Sequence, residues 1–382
     1  NGYVLPESEA VPAGEPSVPL GEEPWKDLWP RGIWPGELGG TAPVALRVQS
    51  ELEIVRGRED QPVFNMRFPN DVALLAGGPL GGNIGVFLET RWTREGGLTV
   101  GQAKATFQRL VPGLGERRVN LWVGLQSLYL LTLAERRIDN AGRSFFLWQS
   151  FRPSEVPLRI GSSEVRPSSQ FRLVLTQPAL EVNGLLTSRM YYAVGIAQGA
   201  GGETGDNNEH KDVYYKLRYK LGGRRLDGSY AEGDGPVAHS FGQLLDRSVV
   251  LEAFGYHGSE PVGRENEDAH RTFGASARLL SGELDAGAGY VVSRDDAPWG
   301  ADLGRLDRSG AFAKVEYLLF PWLLSSLKTE RFLIEGPAGG DGPAASARAR
   351  WEQVHALPGM TALIRQNVRL VLEADLYAKY ES

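Results

Sequence analysis

Residues 212–221 read DVYYKLRYKL, and their side chains separate by position into an apolar set and a largely cationic set. The apolar set alternates with the other along the stretch: Val213, Tyr215, Leu217, Tyr219 and Leu221 against Tyr214, Lys216, Arg218 and Lys220. Successive side chains of a β-strand point to opposite faces, whereas the helical period would spread the charges around the axis. The stretch therefore predicts a two-faced β-strand, and the buried face has to be identified.

The same alternation recurs along the rest of the chain. It is found in VALRVQSELEIV (44–55), NIGVFLETRW (83–92), ARARWEQV (347–354) and NVRLVLEADLYAKY (367–380). In the third of these, the pattern predicts Ala347, Ala349 and Trp351 on the apolar face. Turn-forming residues separate the segments, and 48 glycines and 23 prolines disfavour a helical protein. An all-β fold is predicted.

The length of these segments favours a membrane-spanning barrel. They run for about ten residues, near the 9–11 that a tilted strand needs to cross a bilayer, whereas soluble strands average about 5–6. Aromatic residues near the strand ends suit interfacial girdles. They are Trp92, Tyr191, Tyr192, Tyr290, Trp322, Trp351, Tyr377 and Tyr380. We predict a transmembrane antiparallel β-barrel of about 14–16 strands over residues 44–382. The alternative is a large soluble β-protein, whose polar face would contact bulk water.

Residues 1–43 differ from the rest of the chain. They are rich in proline, carry more acidic than basic residues and contain Trp25, Trp29 and Trp34 without alternation. We predict an irregular N-terminal extension or plug that packs through its tryptophans. The first residues show no basic segment followed by an apolar one, so no signal peptide is expected within them.

Composition excludes several classes of function. The formal net charge is −6 and the 41 basic residues are scattered, so no nucleic-acid footprint is present. The chain has no cysteine and therefore no covalent haem attachment through C-x-x-C-H. We find no nucleophile and base pair, and a non-enzymatic protein is predicted. His257 and His270 flank an acidic stretch that could bind a metal, but a solvated loop explains it better.

The charged residues opposite the apolar face are predicted to line the lumen of the barrel. They are Glu51, Glu53, Lys216, Arg218, Lys220, Arg348, Arg350, Glu352, Arg369, Glu373 and Asp375. Such charges line a channel that selects solutes, or bind a hydrophilic partner inside the pore. Alternatively, they form cross-strand salt bridges that hold the wall in shape.

Several stretches resemble a known family. NGYVLPE (1–7), FPNDVALLAGGPLGGNIGVFLETRW (68–92) and IRQNVRLVLEADLYAKY (364–380) resemble outer-membrane porin-like proteins of bacterial extracellular electron-transfer systems. This family includes porin partners of c-type cytochromes and fused monohaem cytochrome–porin proteins.

The resemblance implies a barrel in the bacterial outer membrane that acts as the insulating sheath of an electron conduit. Its implied partners are outer-membrane lipid and a c-type cytochrome, periplasmic or inserted in the lumen. The haem c would then lie on the partner or on a segment upstream of Asn1, because this chain attaches none. The alternative function is a passive diffusion porin for small polar or anionic solutes.

Overall fold

Strands account for most of the part of the chain that the structure describes. The structure is a computed structural model. It describes residues 44–54, 64–81, 83–93, 97–111, 113–114, 117–131, 145, 147, 158–160, 163–165, 173, 176–199, 210–229, 237–238, 244–245, 247–262, 266–299, 304–337, 348–365 and 368–381. The predicted extension, residues 1–43, lies outside them.

Within the described residues the chain forms twenty strands. They are β1 (Val44–Ile54), β2 (Phe64–Gly81), β3 (Ile84–Thr93), β4 (Gly97–Phe107), β5 (Asn120–Ser127), β6 (Leu158–Ile160), β7 (Ser163–Val165), β8 (Thr176–Thr187), β9 (Met190–Ala197), β10 (Asp212–Leu221), β11 (Val237–Ala238), β12 (Leu244–Leu245), β13 (Arg247–Val262), β14 (Asn266–Ser281), β15 (Leu284–Asp295), β16 (Leu306–Phe320), β17 (Leu323–Pro337), β18 (Arg348–Arg365), β19 (Val368–Glu373) and β20 (Leu376–Glu381).

Sixteen of these strands form one antiparallel sheet. Its order is β1-β2-β3-β4-β5-β8-β9-β10-β13-β14-β15-β16-β17-β18-β19, and β20 also pairs with β18. β19 and β20 therefore lie end to end along one neighbour, with Leu372 opposite Met360 and Tyr377 opposite His355. β1 and the β19–β20 line are the two edges, and no pairing in the described residues joins them. The predictions of an all-β antiparallel fold and of 14–16 strands are confirmed.

The two faces of the sheet have the opposite character to those of a water-soluble protein. On β10, Val213 is 42% exposed whereas Tyr214 is fully buried, and the alternation continues to Leu221. Buried side chains elsewhere in the sheet include charged ones such as Glu89 and Lys328. Charged residues are almost never buried in water-soluble proteins unless they are paired. An apolar outer face and a polar inner face are typical of a transmembrane barrel.

The sheet curves towards its inner face. The evidence is contact between side chains of strands that are not neighbours. Gln177 on β8 donates from Nε2 to the Tyr256 hydroxyl on β13 at 3.0 Å, across the intervening β9 and β10. No helix in the described part of the chain is long and apolar enough to cross a membrane.

The connections between strands differ at the two ends of the sheet. Because neighbouring strands are antiparallel, successive connections fall at alternate ends. One end carries five two-residue connections: 82–83, 188–189, 282–283, 321–322 and 366–367. We call it the short-turn end. The other, which we call the long-loop end, carries connections such as 128–175, 198–211, 296–305 and 338–347. The short-turn end also carries 108–119 and 222–246, so the division concerns the two-residue turns between neighbouring strands of the sixteen-stranded sheet, all of which lie at one end. Outer-membrane barrels likewise have short periplasmic turns and longer extracellular loops.

Some of the predicted girdle aromatics do not face outwards. Trp92, Tyr290, Trp322 and Tyr380 are exposed on the outer face, and Trp322 stacks on Phe320 with ring centroids 5.9 Å apart. Tyr192 shares the outer face of β9 with Val194. The predictions for three others were wrong, because each shares a face with buried inner residues: Tyr191, Trp351 and Tyr377.

Aromatic side chains cover glycines on the neighbouring strand. Phe254 is directly opposite Gly274, and Phe312 is directly opposite Gly289. In both pairs, a Cβ added to the glycine would overlap the aromatic ring. The missing side chain lets the ring lie flat on the sheet, and such pairs fix the register.

We predict that Gly274→Val destabilises the sheet, because the new side chain meets the Phe254 ring. The expected loss is about 1–3 kcal/mol in the free energy of unfolding, measured by urea titration of the refolded protein in lipid vesicles. Ala277→Val is the control, since Ala277 is exposed on the outer face of the same strand. Equal stability of the two variants would contradict the packing role of the glycine.

Candidate functional site

Described residues of the connection between β5 and β8 (residues 128–175) pack inside the curved sheet. Its described apolar side chains are buried and belong to one hydrophobic cluster with inner-face aromatics. The contributing residues of the connection are Leu128, Leu130, Leu131, Phe145, Leu147 and Leu173. The aromatic partners on the wall are Tyr214, Phe254, Tyr256, Phe312 and Phe332. We call this group the inner cluster. It lies against β10, β13, β15, β16 and β17.

Polar contacts hold the connection to the wall on both sides of the inner cluster. The Leu147 amide donates to a Glu330 carboxylate oxygen at 2.6 Å. The Lys216 ammonium donates to the Leu128 carbonyl at 2.9 Å. Gly310 lies against the Leu147 side chain, where a Cβ would overlap it. These contacts join the connection to β10, β16 and β17.

Glu181 organises the charges on the wall beside Lys216. Its carboxylate accepts hydrogen bonds from the Tyr214 hydroxyl at 2.9 Å and from Asn183 Nδ2 at 2.9 Å. It also forms an ion pair with Lys216 at 3.2 Å. Glu181, Tyr214 and Lys216 are all at least nine-tenths buried at the side chain. A buried charge is tolerated when a partner and hydrogen bonds satisfy it, as they do at this carboxylate.

Further ion pairs cross between strands on the same face. Arg218 donates to Glu252 at 2.5 Å, and Lys328 lies 2.8 Å from Glu373. Arg308 and Asp295 are both fully buried, and the guanidinium donates to both carboxylate oxygens at 3.0 Å. This fork-to-fork geometry is the strongest form of such a pair. Most cations on this part of the wall therefore have an acidic partner.

Asp212 lies at the long-loop end of the same wall. Its carboxylate accepts hydrogen bonds from the Tyr256 hydroxyl and from the Ser259 amide, the latter at 3.2 Å. Tyr256 stacks on His270 with ring centroids 5.7 Å apart. No group of three or more histidine or acidic side chains among the described residues has the geometry of a metal site.

The wall formed by β1 to β3 is more open to water. Arg47 contacts Asp71 at 3.0 Å and Glu89 at 3.4 Å, and its side chain is 31% exposed. Arg67 is 43% exposed, and Arg91 contacts Glu89 at 2.7 Å. Polar groups that line a lumen and remain accessible are the ones that a dissolved ion meets.

The structure places most of the predicted lumen-lining residues on the inner face. Glu51 and Glu53 lie 3.3 and 3.8 Å from Arg67. Asp375 accepts a contact from His355 Nδ1 at 2.8 Å. Lys216, Arg218 and Lys220 share the Tyr214 face of β10. Arg369 shares the Glu373 face of β19. Arg348 begins β18, and its side chain is outside the described part.

Arg350 and Glu352 are placed on the outer face, which differs from the prediction. They share that face of β18 with exposed Val354, whereas Trp351 packs against the inner cluster. The register explains it, because Phe332 on the inner face of β17 is opposite Gln353. In the short segment 347–354, two alanines and Trp351 alternate with two arginines and Glu352, which predicts the arginine face as the lumen face. A longer window adds His355, which continues the parity of Gln353 and alternates with Val354 and Ala356, and this gives the opposite assignment.

Several residues of the polar network are not among those predicted to line the lumen. Glu181 and Asn183 are buried on β8, and Asp212 and Tyr214 on β10. Gln177 on β8 is buried as well. The signal for β8 was the polar residue at alternate positions in TQPALEVNGLLT (176–187), which a proline and a glycine interrupt.

Known structures with a similar fold are bacterial outer-membrane proteins. OmpT of Vibrio cholerae with loop L8 deleted is 11% identical, with a TM-score of 0.51, over 89% of this chain and 95% of that chain. The anion-selective porin of Comamonas acidovorans is 10% identical, with a TM-score of 0.49, over 89% and 100%. Salmonella typhi OmpF in complex with daunomycin is 11% identical, with a TM-score of 0.49, over 89% and 98%.

No protein-family model and no curated protein sequence matches the chain. The similarity to the first of these structures shows the fold, which is that of a bacterial outer-membrane β-barrel. The prediction of a transmembrane barrel fold is confirmed.

We predict that Leu147→Ala loosens the connection from the wall. Leu147 is fully buried against Gly310, and removing such a side chain costs about 2–5 kcal/mol in the free energy of unfolding. The expected result is lower stability to urea together with a larger single-channel conductance in planar bilayers. Leu251→Ala, an outward change, is expected to leave the conductance unaltered. A conductance equal to that of the unmodified protein would argue against a lumen narrowed by this connection.

Proposed function

We propose that this chain is a porin-like channel of the bacterial outer membrane whose narrowed lumen passes small polar solutes, anions among them. The observation that carries the proposal is the inversion of the two faces. Apolar side chains cover the outside of the sheet, and charged, hydrogen-bonded side chains cover the inside. A wall of this kind separates a lipid exterior from a hydrated interior.

The proposed path runs along β1 to β3. There the side chains of Arg47, Arg67 and Arg91 are partly exposed on the inner face. The inner cluster lies on the side of β10, β13 and β15 to β17. Narrowing by the described part of the 128–175 connection favours small solutes. The three arginines lie beside Glu51, Glu53, Asp71 and Glu89, so the path offers charged partners to polar solutes and to ions of either sign.

A second candidate is the insulating sheath of an electron conduit with a c-type cytochrome. Charge compensation favours it, because Lys216, Arg218 and Lys328 each contact a carboxylate. A wall whose charges satisfy one another suits enclosure of a partner as well as conduction. In this candidate the haem c belongs to the cytochrome, which supplies the redox chemistry. The barrel keeps the cofactor apart from the hydrocarbon, about 30 Å thick.

We predict that Arg67→Glu lowers the permeability of the channel to chloride relative to potassium. The substitution replaces an accessible cation with an anion beside Glu51 and Glu53. The measurement is the reversal potential of single channels in planar bilayers under a potassium chloride gradient. Arg247→Glu is the control, since Arg247 is exposed on the outer face at the short-turn end. An unchanged reversal potential in Arg67→Glu would refute a path along β1 to β3.

The two candidates are separated by purification of the protein from its native membranes. The channel proposal expects single-channel conductance from protein that carries no haem stain on a gel. The conduit candidate expects a haem-stained band that remains with the barrel in mild detergent, together with poor conductance. Conductance without haem would therefore overturn the conduit, and haem without conductance would overturn the diffusion channel.

A further inference from the structure

Two arginine–carboxylate–arginine groups lie on the outer face at the long-loop end. In the first, Glu352 accepts from Arg331 Nε at 2.6 Å and from an Arg350 terminal nitrogen at 2.9 Å. In the second, Asp307 accepts from Arg294 Nε at 3.0 Å and from Arg305 Nε at 3.1 Å. We call these groups the outer triads. Each contains one more cation than anion, and Glu335 lies between them, opposite both Asp307 and Arg350.

The arginines of the outer triads point away from the lumen. Arg331 is 55% exposed at the side chain, and Phe332 beside it is fully buried. Arg294 is 54% exposed, and the adjacent Asp295 is fully buried. The outer triads therefore cannot act on solutes in the lumen. Their surroundings are the lipid or the aqueous layer immediately above it.

The position of the first outer triad along β18 agrees with the boundary of the hydrocarbon layer. Outward residues from Val354 to Ile364 include exposed apolar side chains. Ten residues at about 3.4 Å each extend roughly 34 Å along a strand, or about 24 Å along the membrane normal at a tilt near 45°. This agrees with an apolar band about 25 Å tall. Glu352 and Arg350 follow directly beyond it, at the level of the lipid headgroups.

Phosphate is the ligand whose chemistry fits the outer triads. A guanidinium has five N–H donors, and the ion pairs give one Nε contact each for Arg331, Arg294 and Arg305. Each carboxylate holds two guanidinium groups close together, which orders their side chains in advance. Paired guanidinium groups with spare donors match the oxygens of a phosphate. The alternative ligand, a carboxylate on a soluble partner protein, would not explain why the outer triads border the apolar band.

We propose that the outer triads bind phosphate groups of lipids in the leaflet at the long-loop end. The proposal concerns the outside of the barrel and is independent of what the lumen carries. The triads bridge neighbouring strands, Arg331 of β17 to Glu352 of β18 and Arg294 of β15 to Asp307 of β16. Bound lipid would therefore also reinforce these strand pairs.

The test is retention of diphosphoryl lipid A by the refolded full chain in detergent micelles, measured by native mass spectrometry. We expect Arg331→Gln with Arg350→Gln, and separately Arg294→Gln with Arg305→Gln, to weaken binding about thirtyfold, since each cation near a membrane surface contributes about a kilocalorie per mole. The matched control is Arg247→Gln, an outward arginine at the short-turn end, which is expected to retain the lipid.

Two further arms distinguish a lipid from free phosphate. Dephosphorylated lipid A is expected to bind the unmodified protein as weakly as diphosphoryl lipid A binds the variants, and millimolar inorganic phosphate is expected to leave the bound lipid in place. Displacement by inorganic phosphate would overturn the assignment to lipid. If both double variants kept native mobility on unheated gels and retained as much diphosphoryl lipid A as the unmodified protein, the site itself would be overturned. Arg331→Lys with Arg350→Lys, which keeps the charge and is the milder change, is expected to bind with intermediate strength.

Discussion

The structure depends on the absence of water around the outside of the sheet. A backbone N–H or C=O in hydrocarbon finds no solvent partner, and leaving it unsatisfied costs several kcal/mol. The strands therefore pair with their neighbours over nearly their whole length, as β13 and β14 do from Arg247 opposite Ser281 to Val262 opposite Asn266. Lipid also reverses the usual placement of side chains, so that residues such as Leu217 and Leu251 are exposed.

This reversed placement puts charged side chains on the inner face of the sheet. Charged residues on that face, such as Glu181 and Lys328, are buried, so they require compensating partners. Glu181 is paired with the Lys216 ammonium and also accepts hydrogen bonds from Tyr191, Asn183 and Tyr214. The inner cluster works differently, since it buries apolar groups against aromatic rings of the wall. The interior thus combines a small hydrophobic core with a salt-bridge network, and together they set how much of the lumen stays open.

The sequence predicted the sheet well because its signal is local. Alternation in residues 212–221 assigned both faces of β10, and its predicted bounds agree with Asp212–Leu221. The prediction failed where a short window carried charges on the outer face, as at Arg350 and Glu352. Outward charges are allowed beyond the apolar band, so charge alone does not identify the lumen.

The inner cluster could not have been predicted from local patterns. The polar contacts beside it join Leu147 to Glu330 and Lys216 to Leu128, which are distant in the sequence. Such contacts depend on how a long connection folds back, and alternation contains no information about that. The face of the sheet on which most charged side chains lie could therefore be predicted from the sequence, whereas the residues that they contact could not.

The end-to-end arrangement of β19 and β20 determines how the sheet can close. They occupy a single position beside β18, so the path from β1 has fifteen positions, and β1 runs in the same direction as the last of them. Direct contact between the two edges would be the one parallel pairing in this sheet, with slanted hydrogen bonds. Antiparallel closure takes one more strand running the opposite way. The two edges are thus the place where the hydrogen-bond pattern of the sheet cannot continue unchanged. A β-strand from any source that reaches it would have to alternate apolar and polar side chains as residues 212–221 do.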